Sequence, residues 1–320
     1  MTLTIESGAD LLRRVREAVS ARVVGQDPAV DDALIAFLAR GHLLIEGVPG
    51  TAKTLLVRTL AGALGLRFTR IQFTPDLMPS DITGVSMIRD PARGFEFQPG
   101  PIFTEILLGD EINRAPAKTQ SALLEAMAER QVTTDGVSRP IGPLFTVFAT
   151  QNPVEHEGTY PLPEAQLDRF LLKTVIPYPS SEAELAMLAH HEAGFDPERA
   201  QQPLAEPVLD AERALALRAL VDGVRVAPEV QAYIAAITRA TREETSLSLG
   251  ASPRASVALM RAARATAVLE GRAYVTPDDV KERVHSTLRH RVTLSPELEV
   301  EGRSADDVLS GLLSRIEAPK

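Results

Sequence analysis

From about residue 40 to 177, short apolar runs alternate with stretches of helical period, the pattern of an α/β layer with a mainly parallel sheet. The runs are residues 42–46 (HLLIE), 67–73 (RFTRIQF), 106–110 (ILLGD), 144–150 (LFTVFAT) and 171–176 (LLKTVI). HLLI and ILL are continuously apolar rather than alternating, as strands buried on both faces are. The strand signal stops after Pro177-Tyr178-Pro179, and the rest reads as helices. Ser181 with Glu184 resembles a capping box opening a helix toward His190. Val230, Tyr233, Ile234 and Ile237 form one apolar stripe at helical spacing. Thr276-Pro277-Asp278-Asp279 supplies an N-cap, a first-turn proline and first-turn acids. Residues 192–207, polar and proline-bearing, read as a linker or long loop. Two hairpins are predicted inside the α/β region: 82–97, whose turn carries Arg93, and 131–141, around Asp135-Gly136. Surface loops with some strand pairing are the plainer reading of both. The break falls near 178–181, giving an α/β core over 1–178 and a helical domain over 179–320.

Composition narrows the classes. The 320 residues hold 34 Lys+Arg against 43 Asp+Glu, a formal charge of −9, and 44% are apolar. The acidic balance argues against binding nucleic acid by bulk charge. No cysteine is present, which excludes disulfides, thiolate metal sites and a cysteine nucleophile. No apolar run approaches the ~20 residues of a membrane span, and charges at Asp10, Arg13, Arg14, Arg16 and Glu17 break any signal-peptide core. The expectation is a cytoplasmic, two-domain protein.

The strongest chemistry lies in Gly47-Val48-Pro49-Gly50-Thr51-Ala52-Lys53-Thr54, between a predicted strand and a predicted helix. That is the setting of a phosphate loop: backbone N–H groups turn inward, and the helix N-terminus favours an anion. Lys53 would reach the β and γ phosphates of ATP, and the Thr54 hydroxyl would ligate Mg²⁺. Ala52 stands where glycine precedes the lysine, which a right-handed conformation at that residue would permit. A glycine-rich turn with an incidental lysine is the plain alternative. The run 106–110 ends in Asp110 and then Glu111, where ligands of parallel sheets bind. Asp110 could hold Mg²⁺ through water, and Glu111 could act as general base. The run 144–150 delivers Asn152 before Pro153; it could orient water, or be a simple turn residue.

These residues carry a family resemblance. The strings VVGQ (23–26), EGVPGTAKT (46–54), GDEINRAPAKTQSALLEAMAERQVT (109–133), FATQNPVEHEGTYPLPEAQLDRF (148–170) and GASPRA (250–255) resemble those of MoxR-type AAA+ ATPases, over essentially the whole chain. The resemblance implies a P-loop core with a parallel sheet flanked by helices, followed by an all-helical lid. It implies that Val24, Gly25 and Gln26 lie against adenine and that Asn152 is sensor 1. It makes Arg169 an arginine finger offered to a neighbouring subunit and Arg254 sensor 2 on the lid. Ser252-Pro253 reads as N-cap and first helical residue, so Arg254 falls in a first turn, where a cation opposes the helix dipole unless an anion is near. The hairpins correspond to a helix-2 insert and a hairpin before sensor 1, facing the pore or partners. Arg114 could face a subunit boundary.

The resemblance implies an ATP-hydrolysing hexameric ring that remodels or matures protein complexes like a chaperone. Protein clients and a von Willebrand factor A domain partner in trans would go with it. A nucleic-acid motor is the rival. Only 4% aromatic residues and no tryptophan argue against base stacking. Its best basic stretch is Lys281, Arg283, His285, Arg289, His290 and Arg291, which beside Asp278, Asp279 and Glu282 reads as a solvated helix face. A nucleotide-gated scaffold would not need the Asp110-Glu111 pair. A chelatase-type metal-insertion subunit stays open; His190 and His191 point to different faces of a helix and read as surface residues.

Overall fold

The computed structural model describes residues 3–90, 94–153, 158–195 and 206–319. Its strands, in chain order, are β1 (Leu43–Gly47), β2 (Phe68–Gln72), β3 (Gly84–Asp90), β4 (Gly94–Pro99), β5 (Ile106–Asp110) and β6 (Gln131–Thr134). There follow β7 (Val137–Pro140), β8 (Thr146–Gln151), β9 (Leu172–Ile176), β10 (Leu247–Leu249) and β11 (Thr293–Leu294). The helices are α1 (Ile5–Ser20), α2 (Asp27–Leu38), α3 (Lys53–Ala63), α4 (Pro79–Thr83), α5 (Ala117–Glu129), α6 (Glu164–Leu167) and α7 (Ser181–Glu192). Behind them come α8 (Ala211–Gly223), α9 (Pro228–Glu243), α10 (Pro253–Leu269), α11 (Pro277–Leu288), α12 (Pro296–Val300) and α13 (Ala305–Leu313).

Five strands form one parallel sheet in the order β2-β5-β8-β1-β9. Every residue of β5 is buried, as its unbroken apolar sequence requires. Successive side chains go to opposite faces. Leu43, Ile45, Ile106, Leu108 and Phe148 enter one hydrophobic cluster, and Leu44, Leu107, Val147 and Ala149 enter the other. The second cluster is closed by Leu123, Leu124 and Met127 of α5. The first runs through α1, α2 and α3 and continues without a break into Leu217, Ile237, Leu259, Val280 and Val284 of the C-terminal helices. The helical region is thus packed onto one face of the α/β core rather than hung beside it.

Both hairpins form. β3 pairs antiparallel with β4, and β6 with β7; residues 91–93, Arg93 included, lie outside the described set. Asp135 and Gly136 take φ of 53° and 73°, the two left-handed residues of a type I′ turn. The hairpins touch through the Arg139 guanidinium, 3.9 Å from the centre of the Phe97 ring.

Some expectations change. The cap of α7 is Ser180, whose side chain accepts from the Ala183 N–H, one residue before the expected Ser181. A small antiparallel ladder, β10 with β11, sits in the region read as strand-free; three and two residues are too short to leave a periodic signal. The predicted linker lies mostly in residues 196–205, outside the described set. The basic stretch is not a solvated face. Arg283 and its partner Asp32 are each 8% exposed and joined at 2.9 Å. His290 and Arg291 are also buried. The Arg291 Nε donates to Asp168 Oδ1 at 2.7 Å, and its other nitrogens donate to the carbonyls of Asp168, Phe170, Leu171 and Thr287. The two arginines tie the helical region to the core, because buried charges require partners.

Candidate nucleotide site and an arginine-lined cavity

The three chemistry-bearing segments leave the same edge of the sheet. β1 runs into the Gly47–Thr54 loop, β5 ends at Asp110, and β8 ends at Gln151 just before Asn152. Parallel strands put their C-terminal ends together, so pairing alone collects these residues. Lys53 begins α3, whose N-terminus has no side-chain cap. Its Nζ donates to the carbonyls of Gly47 at 2.8 Å and Val48 at 2.7 Å. Burial pushes the Lys53 ammonium below its usual range, while Asp110 and Glu111 pull it back up, so lysine and both carboxylates share one electrostatic neighbourhood. Gly50 has φ of 84° and open space where a Cβ would stand. Ala52 is left-handed, with φ of 60°, against the expected right-handed conformation. The turn from loop into α3 imposes this, and such a conformation costs alanine about 1–2 kcal/mol.

Two further strands hold the carboxylates. The Thr150 hydroxyl donates to Asp110 Oδ1 at 2.5 Å and accepts from the Glu111 N–H at 2.9 Å. From β2, Arg70 donates to Asp110 Oδ2 through Nε at 3.1 Å and Nη2 at 2.6 Å. Gln72 donates to Glu111 Oε2 at 2.7 Å, and Arg114 Nε lies 3.4 Å from the same oxygen. Glu111 itself is left-handed, with φ of 56°, a strained placement of the kind found at functional sites. The sequence reading missed Arg70, Gln72 and Thr150. Alternation is the signal that could have found the first two, since residues two apart on an edge strand share a face. Gly25 (φ 76°), between Val24 and Gln26, packs so closely on Ala183 of α7 that a Cβ would stand 2.6 Å from that residue's methyl. The adenine-segment candidates thus abut the start of the helical region.

Arg169 and Arg254 are elsewhere. Both line a cavity of about 340 Å³ with Arg40, Arg130, Arg261 and Arg291, and among the described residues Asp168 is its one acidic lining residue. Gly41 and His42, which precede β1, line it too, so it opens at the N-terminal edge of the sheet. The phosphate loop lies beyond the far end of β1, five residues on, or roughly 15 Å at about 3.3 Å per residue. Asp168 joins the segments that carry the two arginines: it precedes Arg169, pairs with Arg291, and accepts from the hydroxyl of Ser252, the N-cap of α10, at 3.2 Å. Among the described residues no ion pair reaches either the Arg169 or the Arg254 guanidinium, and Arg254 is exposed.

Residues 42–172 match the ATPase family associated with various cellular activities (AAA), and residues 239–312 match the AAA lid domain. The chain is 42% identical to "Chaperone MoxR1" of Mycobacterium tuberculosis, covering 97% of this chain and 82% of that one. It is 31% identical to "Protein MoxR" of Methylorubrum extorquens, covering 97% and 96%. The chain belongs to the MoxR family of AAA+ ATPases. YeaC of Bacillus subtilis, an uncharacterized protein, is 47% identical over 97% of this chain and 95% of its own. A crystal structure from Cytophaga hutchinsonii, with a provisional ATPase assignment, superposes with a TM-score of 0.88 at 40% identity, covering 98% and 96%. Membership of this family accounts for the sheet, the helical lid and a nucleotide-binding loop.

The described residues gather no cluster of three or more His, Asp or Glu side chains suited to a metal ion. The edge of the sheet nevertheless fits Mg²⁺. Asp110 and Thr54 are hard oxygen donors, and Mg²⁺ is commonly held by one or two such groups with substrate phosphates completing its shell. No helix among the described residues is long and apolar enough to cross a membrane.

Proposed function

We propose that the protein is a ring-forming, magnesium-dependent ATP hydrolase that drives chaperone-like remodelling of protein complexes. The separation of Arg169 and Arg254 from their own phosphate loop carries this reading. An arginine side chain cannot span a gap of roughly 15 Å, so a cavity rich in arginine at that edge suits the triphosphate of a second copy. Val24, Gly25 and Gln26 hold adenine; Gly47, Pro49, Gly50, Thr51, Ala52, Lys53 and Thr54 wrap the phosphates. Thr54 and Asp110 hold Mg²⁺, which when bound neutralises charge developing on the transferred phosphoryl group. Glu111 takes a proton from the attacking water, and Asn152 orients that water. Arg169 and Arg254 of the adjacent copy complete the site, a contribution worth about 10³–10⁵ in rate for a trans arginine. Activity is therefore low in a monomer and rises with assembly, for which we favour a hexamer. A cycle driven by ATP also needs a compartment that supplies it, which is the cytoplasm.

The remodelling role is supported by the β3–β4 hairpin, which exposes Val85, Met87, Ile88 and Phe95, the last at 74%. Exposed apolar side chains on both faces of a hairpin suit polypeptide better than nucleic acid. A von Willebrand factor A domain protein is the partner we expect, with the 1–178 core hydrolysing and the 179–320 lid transmitting. The test is ATP turnover across protein concentration for the wild type and Glu111→Gln. Turnover should rise with oligomerisation and vanish in the variant, and a variant that assembles and hydrolyses normally would refute the assignment of the base.

A further inference from the structure

Arg70 sits on the edge strand β2, opposite Leu108 in register, while Gln72 stands opposite Asp110. Its guanidinium places two donors on the same oxygen, Asp110 Oδ2, and its Nη2 also donates to Gln72 Oε1 at 2.9 Å. A carboxylate oxygen offers two lone pairs. Oδ2 is therefore filled, and Oδ1 already accepts from Thr150. The Asp110 side chain is 12% exposed, so water supplies little of its solvation. Lys53 does not bond to it directly, being held by the carbonyls of Gly47 and Val48. Among the described residues, Arg70 is thus the cation that directly partners Asp110. It is itself 44% exposed, so it can swing into water at small cost.

We propose that Arg70 is a positioning residue that stands in for the metal's charge at Asp110 and is displaced from Oδ2 when Mg²⁺ enters with nucleotide. This rests on Asp110 being a metal ligand. The ion or one of its waters needs a lone pair that Arg70 now occupies, so metal binding is an exchange of cations. The arrangement gives a buried carboxylate a paired cation until the metal takes over that role. It also makes metal affinity depend on a residue of the edge strand that runs on toward the β3–β4 hairpin.

The test is a titration of Mn²⁺ followed by electron paramagnetic resonance, with ADP saturating, on the full chain and on Arg70→Met, Arg70→Lys, Asp110→Asn and the double variant Arg70→Met/Asp110→Asn. The half-saturating Mn²⁺ should fall roughly tenfold in Arg70→Met, equivalent to about 1.4 kcal/mol of displaced pairing. It should fall less in Arg70→Lys, which keeps the charge but not the fork. The effect of Arg70→Met should vanish on the Asp110→Asn background. Unchanged or weaker Mn²⁺ binding in Arg70→Met, with Asp110→Asn impaired, overturns the role of Arg70 alone. Unchanged binding in Asp110→Asn overturns the metal assignment beneath it. If Arg70→Met does not fold, Arg70→Lys decides: half-saturation at or above the wild-type value counts against the exchange.

Discussion

Replacing Arg291 by methionine should separate the helical region's grip on the core from nucleotide binding. Arg291 has 3% of its side chain exposed and serves one carboxylate and four carbonyls. Methionine keeps the stem and removes every donor. Breaking a buried ion pair from one side costs about 3–5 kcal/mol, because the other charge is left unpaired. The Asp168 side chain is 21% exposed, so water can reach it and the loss should sit near the lower end, about 3 kcal/mol. Tryptophan is absent, so guanidinium unfolding is best followed by far-UV circular dichroism. ATP turnover should also fall, because Asp168 adjoins Arg169 and bonds to Ser252. Binding of a fluorescent nucleotide should persist, because the phosphate loop lies at the opposite edge of the sheet. A loss under about 1 kcal/mol with parental turnover would refute the reasoning.

Thr150→Val removes a hydroxyl without changing shape and frees Asp110 and the Glu111 N–H; turnover should fall roughly tenfold or more while nucleotide affinity holds, as mispositioned catalytic groups predict. Ala52→Gly relieves a left-handed alanine worth about 1–2 kcal/mol and loses about 0.4–1 to unfolded-state freedom. A small rise in unfolding midpoint is expected, and a fall would show that Ala52 is not strained. Burial, reinforced by Arg130, pushes the His42 pKa from 6.5 down to about 3. The unfolded chain then binds the extra proton first, so stability falls as pH drops from about 6.5 toward 3, by up to about 1.4 kcal/mol per unit. Asp31, raised by burial to about 6, acts in the opposite sense between pH 6 and its ordinary value. Comparing pH-dependent unfolding of wild type and His42→Gln isolates the histidine: the acid loss should be smaller in the variant, and parallel curves would exclude His42 as its source.

What the sequence made legible was local. The phosphate loop, the Asp110-Glu111 strand end and the Asp135-Gly136 turn are each contained in a few adjacent residues, so their chemistry shows without the fold. Arg70, Gln72 and Thr150 meet the carboxylates from strands 39 or 40 residues away, across sheet pairings that no local pattern encodes. The same holds for Arg283 and Arg291. Next to acidic neighbours they read as a wet surface, yet their partners Asp32 and Asp168 lie 251 and 123 residues off. Ala52 failed for another reason: its neighbours specify a loop entering a helix but not the sign of φ at the junction. The cavity joining Arg169 to Arg254 needed the whole fold, since Asp168 gathers both from segments far apart in the chain.

Under the proposed mechanism each ATP site is completed by a second copy. Mixing Glu111→Gln chains with Arg169→Ala chains tests it directly, since each lacks what the other can supply. Random equal mixing leaves about one interface in four with both groups intact. Hydrolysis should therefore reappear in the mixture well above either parent, and a mixture of Glu111→Gln with Arg254→Ala should behave likewise. A mixture that co-assembles but stays as inactive as its parents would contradict the composite site.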